Sequence, residues 1–343
     1  MRAQPGRVSL RDVADLAGVS IKTVSNVVHG YTHVAPKTRQ RVQEALDELD
    51  YRPNLSARSL RGGRTGLIAL AVPELDSAYF AEIARHVVRA ADARGWTVLI
   101  DQTDGLAERE QLVLDGIRSQ LIDGVIFSPL AFGAEELAAR RDTTPMVLLG
   151  ERVHRSEIDH VGIDNVAAAT VAVSHLVGLG RRRIAAIGAQ RHKRGETARL
   201  RLQGYRAALH AAGMPVDPEL VLPSLNFHRE DGAIAMARLL DLAEPPDAVF
   251  CCNDLLAIGA MRTLRERGFQ VPQDVAVVGF DDVVESAFCY PTLTTIRPDK
   301  ERIAGAAITL LAQRLEQAQA SPPQDLTEGF ELVVRQSTGG TGV

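Results

Sequence analysis

Ile21, Lys22, Ser25 and Asn26 fall on one side of a short helical repeat, while Val24, Val27 and Val28 fall on the other. The polar side has the chemistry to read base edges in duplex DNA. A lysine ammonium donates to N7 and O6 of guanine, an asparagine amide pairs with N6 and N7 of adenine, and an isoleucine offers apolar surface to a thymine methyl. Thr23 and Ser25 add hydroxyls that reach phosphates or bases. Alone, a lysine and an asparagine on a helix are usually just solvated. Here several cues coincide at fixed spacing, and the setting decides for DNA.

That setting is a trio of helices. Leu10, Val13, Ala14 and Ala17 recur at i, i+3, i+4 and i+7, one face of an amphipathic helix that Gly18 ends. Ser20 is a good N-cap for the second helix, and Pro36 to Leu49 repeats the pattern with Val42, Ala45, Leu46 and Leu49. A helix, a turn of a few residues containing glycine and a second short helix make a helix-turn-helix, whose second helix fits the major groove.

Charge agrees without proving the point. Residues 1–64 carry 11 Lys or Arg against 6 Asp or Glu, while the remainder carries 28 against 37. A cationic head on an anionic body suits phosphate contact by one end. The N-terminus lacks the apolar run of a signal peptide and no stretch is long enough to span a bilayer, which predicts a cytoplasmic protein with no membrane contact. Cys251, Cys252 and Cys289 have no metal-site spacing, so reduced thiols are expected, with no metal and no cofactor.

From Gly66 onward apolar runs alternate with amphipathic ones. "GLIALAV", "TVLID", "GVIFS", "MVLLG", "HVGID", "RIAAIG", "AVFCC", "VAVVG" and "LTTI" read as buried parallel strands. Helical segments between them predict an α/β architecture of doubly wound sheets. Nine strands exceed one ordinary sheet, so two are expected, with chain crossings near Asp164 and Asn165 and near Pro291 to Thr295.

"VSLRDVADLAGVSIKTVSNVV" followed by "VAPKTRQRVQEALDELDYRPNLSARSL" resembles the DNA-binding headpiece and hinge of the lactose-repressor-like (LacI/GalR) family of bacterial transcriptional regulators, and the resemblance runs through essentially the whole chain. Two positions depart from it. Asn26 stands where many members carry Arg, which leaves the operator sequence open, and Ala35 stands where a Ser often caps the third helix. The lost cap should cost about 1 kcal/mol, partly offset by Pro36 at the first helical position.

The resemblance implies a headpiece at 8–53, a hinge at 54–63 and a two-lobed core like periplasmic binding proteins at 64–338. Lobe 1 would hold about 64–163 and 293–322, and lobe 2 about 164–292 and 323–338. Asp299 to Ala320 would be a helix returning to lobe 1, Pro322 with Pro323 would begin a third crossing, and the chain beyond Ser337 reads as a frayed tail. The hinge is too short for a stable helix alone. In this family it becomes helical when two subunits meet on DNA, and a leucine equivalent to Leu60 wedges into the minor groove. The expected DNA-contacting set is therefore Ser20, Ile21, Lys22, Thr23, Ser25, Asn26 and His29, with Asn54, Ala57 and Leu60 from the hinge.

Ligands of open α/β sheets sit at the C-terminal ends of strands. Among the polar groups there, the resemblance selects Arg201 in "ARLRLQGY", Asp281 in "VVGFDD" and the pair Asn253 and Asp254 as effector-binding. Ser128 in "SPLAFG" joins them, and Tyr79, Phe80 and Phe227 would supply apolar faces. A guanidinium donates to adjacent hydroxyls, a carboxylate accepts from them and a ring packs on the C–H face of a sugar. Each has a plainer alternative: Arg201 pairing only with an acid, Asp281 or Asp254 capping a helix, and Phe227 belonging to the core.

Enzyme motifs are missing. "GLGRRR" from Gly178 has Arg183 where a dinucleotide fingerprint needs glycine, and it precedes a strand instead of following one. There is no P-loop lysine, no Gly-x-Ser-x-Gly elbow and no paired-histidine motif. The expectation is a non-enzymatic repressor. It would bind double-stranded operator DNA as a homodimer and be released by a small-molecule effector, a sugar by its chemistry. A corepressor-dependent regulator and a soluble sugar receptor are the alternatives.

Overall fold

The computed structural model describes residues 8–28, 31, 33–51, 64–116, 121–150, 157–190, 196–316 and 321–340. The chain divides into two compact units, Met1–Thr65 and Gly66–Val343.

In the first unit, α1 spans Leu10–Ala17, α2 Ile21–Val28 and α3 Pro36–Glu48. Ser9 and Asp12 form a reciprocal capping box: the Asp12 carboxylate accepts from the Ser9 N–H at 2.8 Å and the Ser9 hydroxyl accepts from the Asp12 N–H at 3.4 Å. These bonds hold the Asp12 carboxyl below its ordinary range. Gly18 ends α1 at φ 61°, a left-handed conformation that costs an L side chain about 1–2 kcal/mol. Ser20 caps α2, its hydroxyl accepting from the Thr23 N–H at 3.1 Å. Ala35 gives α3 no side-chain cap, and Pro36 opens its first turn. Val13, Ala14, Ala17, Val24, Val27, Val42 and Ala45 close a small core, with Leu46 and Leu49 packed against it.

The second unit contains two six-stranded sheets. Its elements run β1 (Leu67–Val72), α4 (Ala78–Asp92), β2 (Thr97–Gln102), α5 (Ala107–Leu114), β3 (Gly124–Phe127), α6 (Ala134–Ala138), β4 (Met146–Leu149) and β5 (Asp159–Ile163). Then come α7 (Asn165–Gly178), β6 (Ile184–Ala189), α8 (Glu196–Ala211), β7 (Val221–Pro223), α9 (Arg229–Leu240), β8 (Ala248–Cys251), α10 (Asp254–Glu266) and β9 (Ala276–Phe280). The chain ends with α11 (Val284–Phe288), β10 (Thr294–Pro298), α12 (Lys300–Glu316), β11 (Asp325–Glu328) and β12 (Phe330–Val333). Sheet order is β11-β5-β4-β3-β1-β2 in lobe 1 and β12-β10-β9-β8-β6-β7 in lobe 2. Helices cover both faces, so β3, β4, β5, β8 and β9 are buried along their whole length.

The chain passes between sheets after β5, at Asp299 and at Gly329. The last two differ from expectation. β10 lies in lobe 2, in parallel register with β9, so the second crossing follows Pro298 and does not fall at Pro291 to Thr295. β11 pairs with β5 in lobe 1, so the third crossing begins after Glu328 and not at Pro322. The Asp299 N–H donates to the Gly329 carbonyl at 3.0 Å, tying these two crossings together. β12 runs antiparallel to β10 at the sheet edge, an exception to the expected parallel pairing. Beyond Ser337 the tail is also pinned further than its glycines predict. Thr338 is buried and its hydroxyl lies 2.9 Å from Nε2 of His175 and 2.8 Å from the Thr294 hydroxyl.

Candidate functional site

On the headpiece, burial of Val24 and Val27 fixes the rotation of α2 and turns Ile21 and Lys22 to solvent. Thr23, Ser25 and Asn26 are half-buried on its flanks. The Ser20 hydroxyl, already the cap, also lies 2.9 Å from the Thr23 hydroxyl, so these two residues position the helix as well as lying on its reading side. Arg41 donates to the Gly18 carbonyl at 3.4 Å and Arg39 to the Tyr31 carbonyl, linking α3 to the turns at either end of α2. His29, Asn54, Ala57 and Leu60 lie outside the described residues, as does the hinge.

In the core, Arg201 and Asp281 meet. Arg201 projects from α8 and is only 6% exposed; Asp281 follows β9 and is equally buried. Nη2 of Arg201 lies 3.3 Å from the Asp281 carboxylate, Nε donates to Oδ1 of Asn165 at 2.7 Å, and Nη1 donates to the Cys252 carbonyl. The guanidinium carbon sits 3.5 Å from the centroid of the Phe280 ring. Three of five N–H bonds are thus engaged, which leaves two donors on a rigid and largely desolvated fork. Burial pushes the Asp281 carboxyl up from its ordinary range, while Arg201 and Lys300 draw it back. Asp281 has φ 109° and Asp282 φ 46°, backbone conformations that non-glycine residues rarely adopt. Bonds from the Asp281 N–H to the Ile296 carbonyl at 2.8 Å and from the Asp282 N–H to the Thr295 hydroxyl at 3.3 Å hold the turn.

Asp254 is a correction. Its carboxylate is fully buried in lobe 2 at the first residue of α10, where it accepts from the Thr295 hydroxyl at 2.6 Å, the Ser286 hydroxyl at 2.7 Å and the Val283 N–H at 2.9 Å. It staples α10 to β10 and to the turn after Asp281, and both of its carboxylate oxygens are engaged in doing so. Burial raises its pKa to about 7, with the nearby Asp281 charge acting in the same direction. Asn253 is the N-cap of α10: Oδ1 accepts from the Leu256 N–H at 2.9 Å, and Nδ2 donates to the Phe227 carbonyl at 3.0 Å. It sets where Phe227 sits.

Phe227 is half-buried against the core, as are Tyr79 and Phe80 in lobe 1, whose rings meet edge to face at 5.3 Å. Ser128 is buried at the end of β3. Lobe 2 therefore brings Arg201, Asp281 and Phe280 into direct contact, whereas in lobe 1 Tyr79 and Phe80 lie in the first turn of α4 and Ser128 directly follows β3.

Three groups escape sequence reasoning. Asn165 orients Arg201; its only signal is a polar residue opening a helix that is otherwise apolar. Glu110 is a fully buried carboxylate that accepts from the N–H groups of Leu130, Ala131 and Phe132 at 2.7–3.2 Å, holding the loop behind Ser128. Glu82 pairs with Lys300 and accepts from the Val284 N–H at 3.1 Å, joining the lobes beside a crossing. A cavity of about 280 Å³ lined by Asp101, Arg109, Leu112 and Asp142 lies beside α5, and neither Arg201 nor Asp281 lines it. Among the described residues no group of three or more His, Cys, Asp or Glu is placed to hold a metal, and no helix is long and apolar enough to cross a membrane.

Residues 9–54 match the family described as bacterial regulatory proteins, lacI family, and residues 173–338 match the periplasmic binding protein-like domain. The HTH-type transcriptional regulator DegA of Bacillus subtilis is 33% identical over 337 residues, covering 97% of this chain and 98% of DegA. The transcriptional regulator CelR in complex with cellobiose is 34% identical with a TM-score of 0.71, covering 96% of this chain and 100% of that one. The lac repressor dimer bound to operator and an anti-inducer is 29% identical with a TM-score of 0.83, covering 96% and 99%. With its helix-turn-helix, its two parallel-sheet lobes and relatives matched along nearly their full length, the chain belongs to the LacI family of bacterial regulatory proteins and is a DNA-binding transcriptional regulator.

Proposed function

We propose that this chain is a cytoplasmic repressor without enzymatic activity, which binds a pseudo-palindromic operator as a homodimer and lets go when a neutral sugar occupies the cleft. The Arg201 and Asp281 pair carries this reading: two unengaged N–H groups beside a carboxylate at a strand end match the vicinal hydroxyls of a polyol. Phe227, Tyr79, Phe80 and Ser128 supply apolar faces and a hydroxyl from the surrounding strand ends, and Asn253 positions Phe227. The cellobiose complex of CelR supports a sugar as the effector class.

Lys22, Asn26 and Ile21 read base edges, with Thr23 and Ser25 at their flanks, Ser20 holding the helix and His29, Asn54, Ala57 and Leu60 completing the contacts. One headpiece covers one half-site, so two-fold pairing follows from the operator's geometry. For the sugar to weaken binding it must favour the arrangement in which paired headpieces no longer match two half-sites, because only differential affinity shifts an equilibrium.

A thermal-shift screen of mono- and disaccharides tests the pocket. A hit should raise the melting temperature of the wild type, and Arg201→Ala should abolish the shift while operator affinity stays within about twofold. A variant that still responds at the same sugar concentration takes Arg201 out of the pocket.

A further inference from the structure

The three crossings join the lobes along one side, beside β5 and β11 in the first sheet and β10 and β12 in the second. β1 and β2 lie toward the opposite edge of the first sheet, and β6 and β7 toward the opposite edge of the second. Glu74 follows β1, and His228 follows β7 as the N-cap residue of α9. Nε2 of His228 lies 3.0 Å from a carboxylate oxygen of Glu74. This ion pair joins the lobes at the side away from their covalent connections.

We propose that Glu74 and His228 form a proton-dependent clasp at the mouth of the cleft, which holds the lobes shut when made and lets them turn about the crossings when broken. Leverage distinguishes it from the Glu82 and Lys300 pair. Lys300 begins α12 directly after the second crossing and also donates to the Asp282 carbonyl at 3.0 Å, so that contact moves little as the lobes rotate. A contact at the far edge must part. The Glu74 loop is braced for the task, the Leu75 N–H donating to the Gln102 side chain at 3.2 Å.

The groups facing His228 favour its charged form. Glu74 and Asp76 approach from lobe 1 and Asp231 from α9, while the neighbouring Arg229 is engaged by Glu285 at 3.3 Å. The bond to Glu74 is the largest cause of a raised imidazole pKa, opposed by partial burial. The shut form therefore holds this proton more tightly than the open form. Its extra stability is fully present below the ordinary imidazole value, about 6.5, and is lost as pH rises through the raised one. Both side chains are more than one-third exposed, at 42% and 35%, so the expected effect is modest: about two- to fivefold in the ratio of shut to open forms. Its bearing on sugar retention rests on the cleft being the effector site; the clasp itself does not.

The test needs no ligand. Spin labels at Ala107→Cys in lobe 1 and Ala243→Cys in lobe 2, in a Cys289→Ser background, report the distance between lobes by pulsed electron resonance. Unlabelled chain in excess confines the reading to pairs within one chain. Between pH 8.5 and 6.0 the shorter-distance population should grow about two- to fivefold relative to the longer one. Glu74→Gln, His228→Gln and the double variant should each remove that response and do so equally. A response that survives in either single variant, or a wild-type distribution that does not change with pH, overturns the clasp. Melting temperatures within a few degrees of wild type establish that the variants fold, as exposed side chains at this position allow.

Discussion

At the scale of single residues the headpiece and the core make opposite demands on a polar side chain. Lys22 is turned to solvent because burial of Val24 and Val27 fixes the rotation of α2, and on the proposed reading its ammonium meets a base edge. Selection from a random DNA library should show Lys22→Ala relaxed at one base pair and weakened by about 1–3 kcal/mol on the preferred site. Equal losses on preferred and random DNA would mean that the ammonium touches phosphate and not a base. Asp254 is the opposite case, a carboxylate sealed inside lobe 2 by three donors. Its pKa of about 7 in the fold, against about 4 in an unfolded chain, means that the folded protein binds the proton more tightly. The associated stability is present below about pH 4 and is lost as pH rises through about 7. Asp254→Asn keeps the shape and removes the titration, so its melting temperature should vary less between pH 5 and 8 than that of the wild type. Asp254→Ala should cost about 1–3 kcal/mol for each buried donor left unpaired. A wild-type and an Asn variant with parallel pH profiles would place the titration elsewhere. Asp254 also marks where sequence runs out at this scale. "CCND" shows a strand end with two polar residues, but whether Asp254 faces outward or inward depends on Ser286 and Thr295, which arrive from more than thirty residues further along the chain.

At the scale of elements, hydrophobic pattern was most legible where burial is two-sided. All nine apolar runs are strands, and those inside the sheets are largely apolar because helices cover both their faces; "TVLID" is the exception, forming the edge strand β2 with none of its residues fully buried. The four edge strands, β2, β7, β11 and β12, all have exposed positions, and of these "DLTE" in β11 carries no apolar run at all. The lobe to which β10 belongs was equally hidden, since nothing in "LTTI" tells which sheet offers a free edge. Helix packing is encoded more quietly. A Cβ on Gly259 of α10 would lie 1.9 Å from the Arg229 carbonyl oxygen, and one on Gly232 of α9 would lie 2.1 Å from the Leu256 carbonyl oxygen. The two backbones touch. Alanine is the better helix former by about 1 kcal/mol, yet Gly259→Ala must push α9 away, and overpacking of this kind costs about 1–3 kcal/mol. Urea unfolding should therefore show a net loss of stability, and a gain would contradict the close approach. Because His228 sits at the start of α9, the same variant should also weaken the response of lobe distance to pH.

At the scale of the whole molecule, the unexplained surface is apolar. Phe288 and Tyr290 are each 82% exposed at the end of α11, with Val284 on the same short helix 55% exposed, and Leu225 and Ile234 of lobe 2 are also exposed. Two largely exposed aromatic side chains two residues apart are candidate interface anchors, and a stable pair needs about 1,200–2,000 Å² buried in total with such anchors near its centre. On the proposed reading, in which the chain grips a two-fold operator, the occupant is a second copy. Two half-sites a helical turn apart need two headpieces held at a fixed spacing, and tethering the second to the first replaces a separate binding event with a local one. Replacing both Phe288 and Tyr290 with Glu should convert a dimer to a monomer in sedimentation at micromolar concentration. Operator affinity should then fall by at least 100-fold, while a sugar that stabilises the wild type still raises the melting temperature, because Arg201 and Asp281 belong to one chain. The losses must come together: a variant that stays dimeric moves the interface elsewhere, and a monomer that keeps full operator affinity removes the need for pairing.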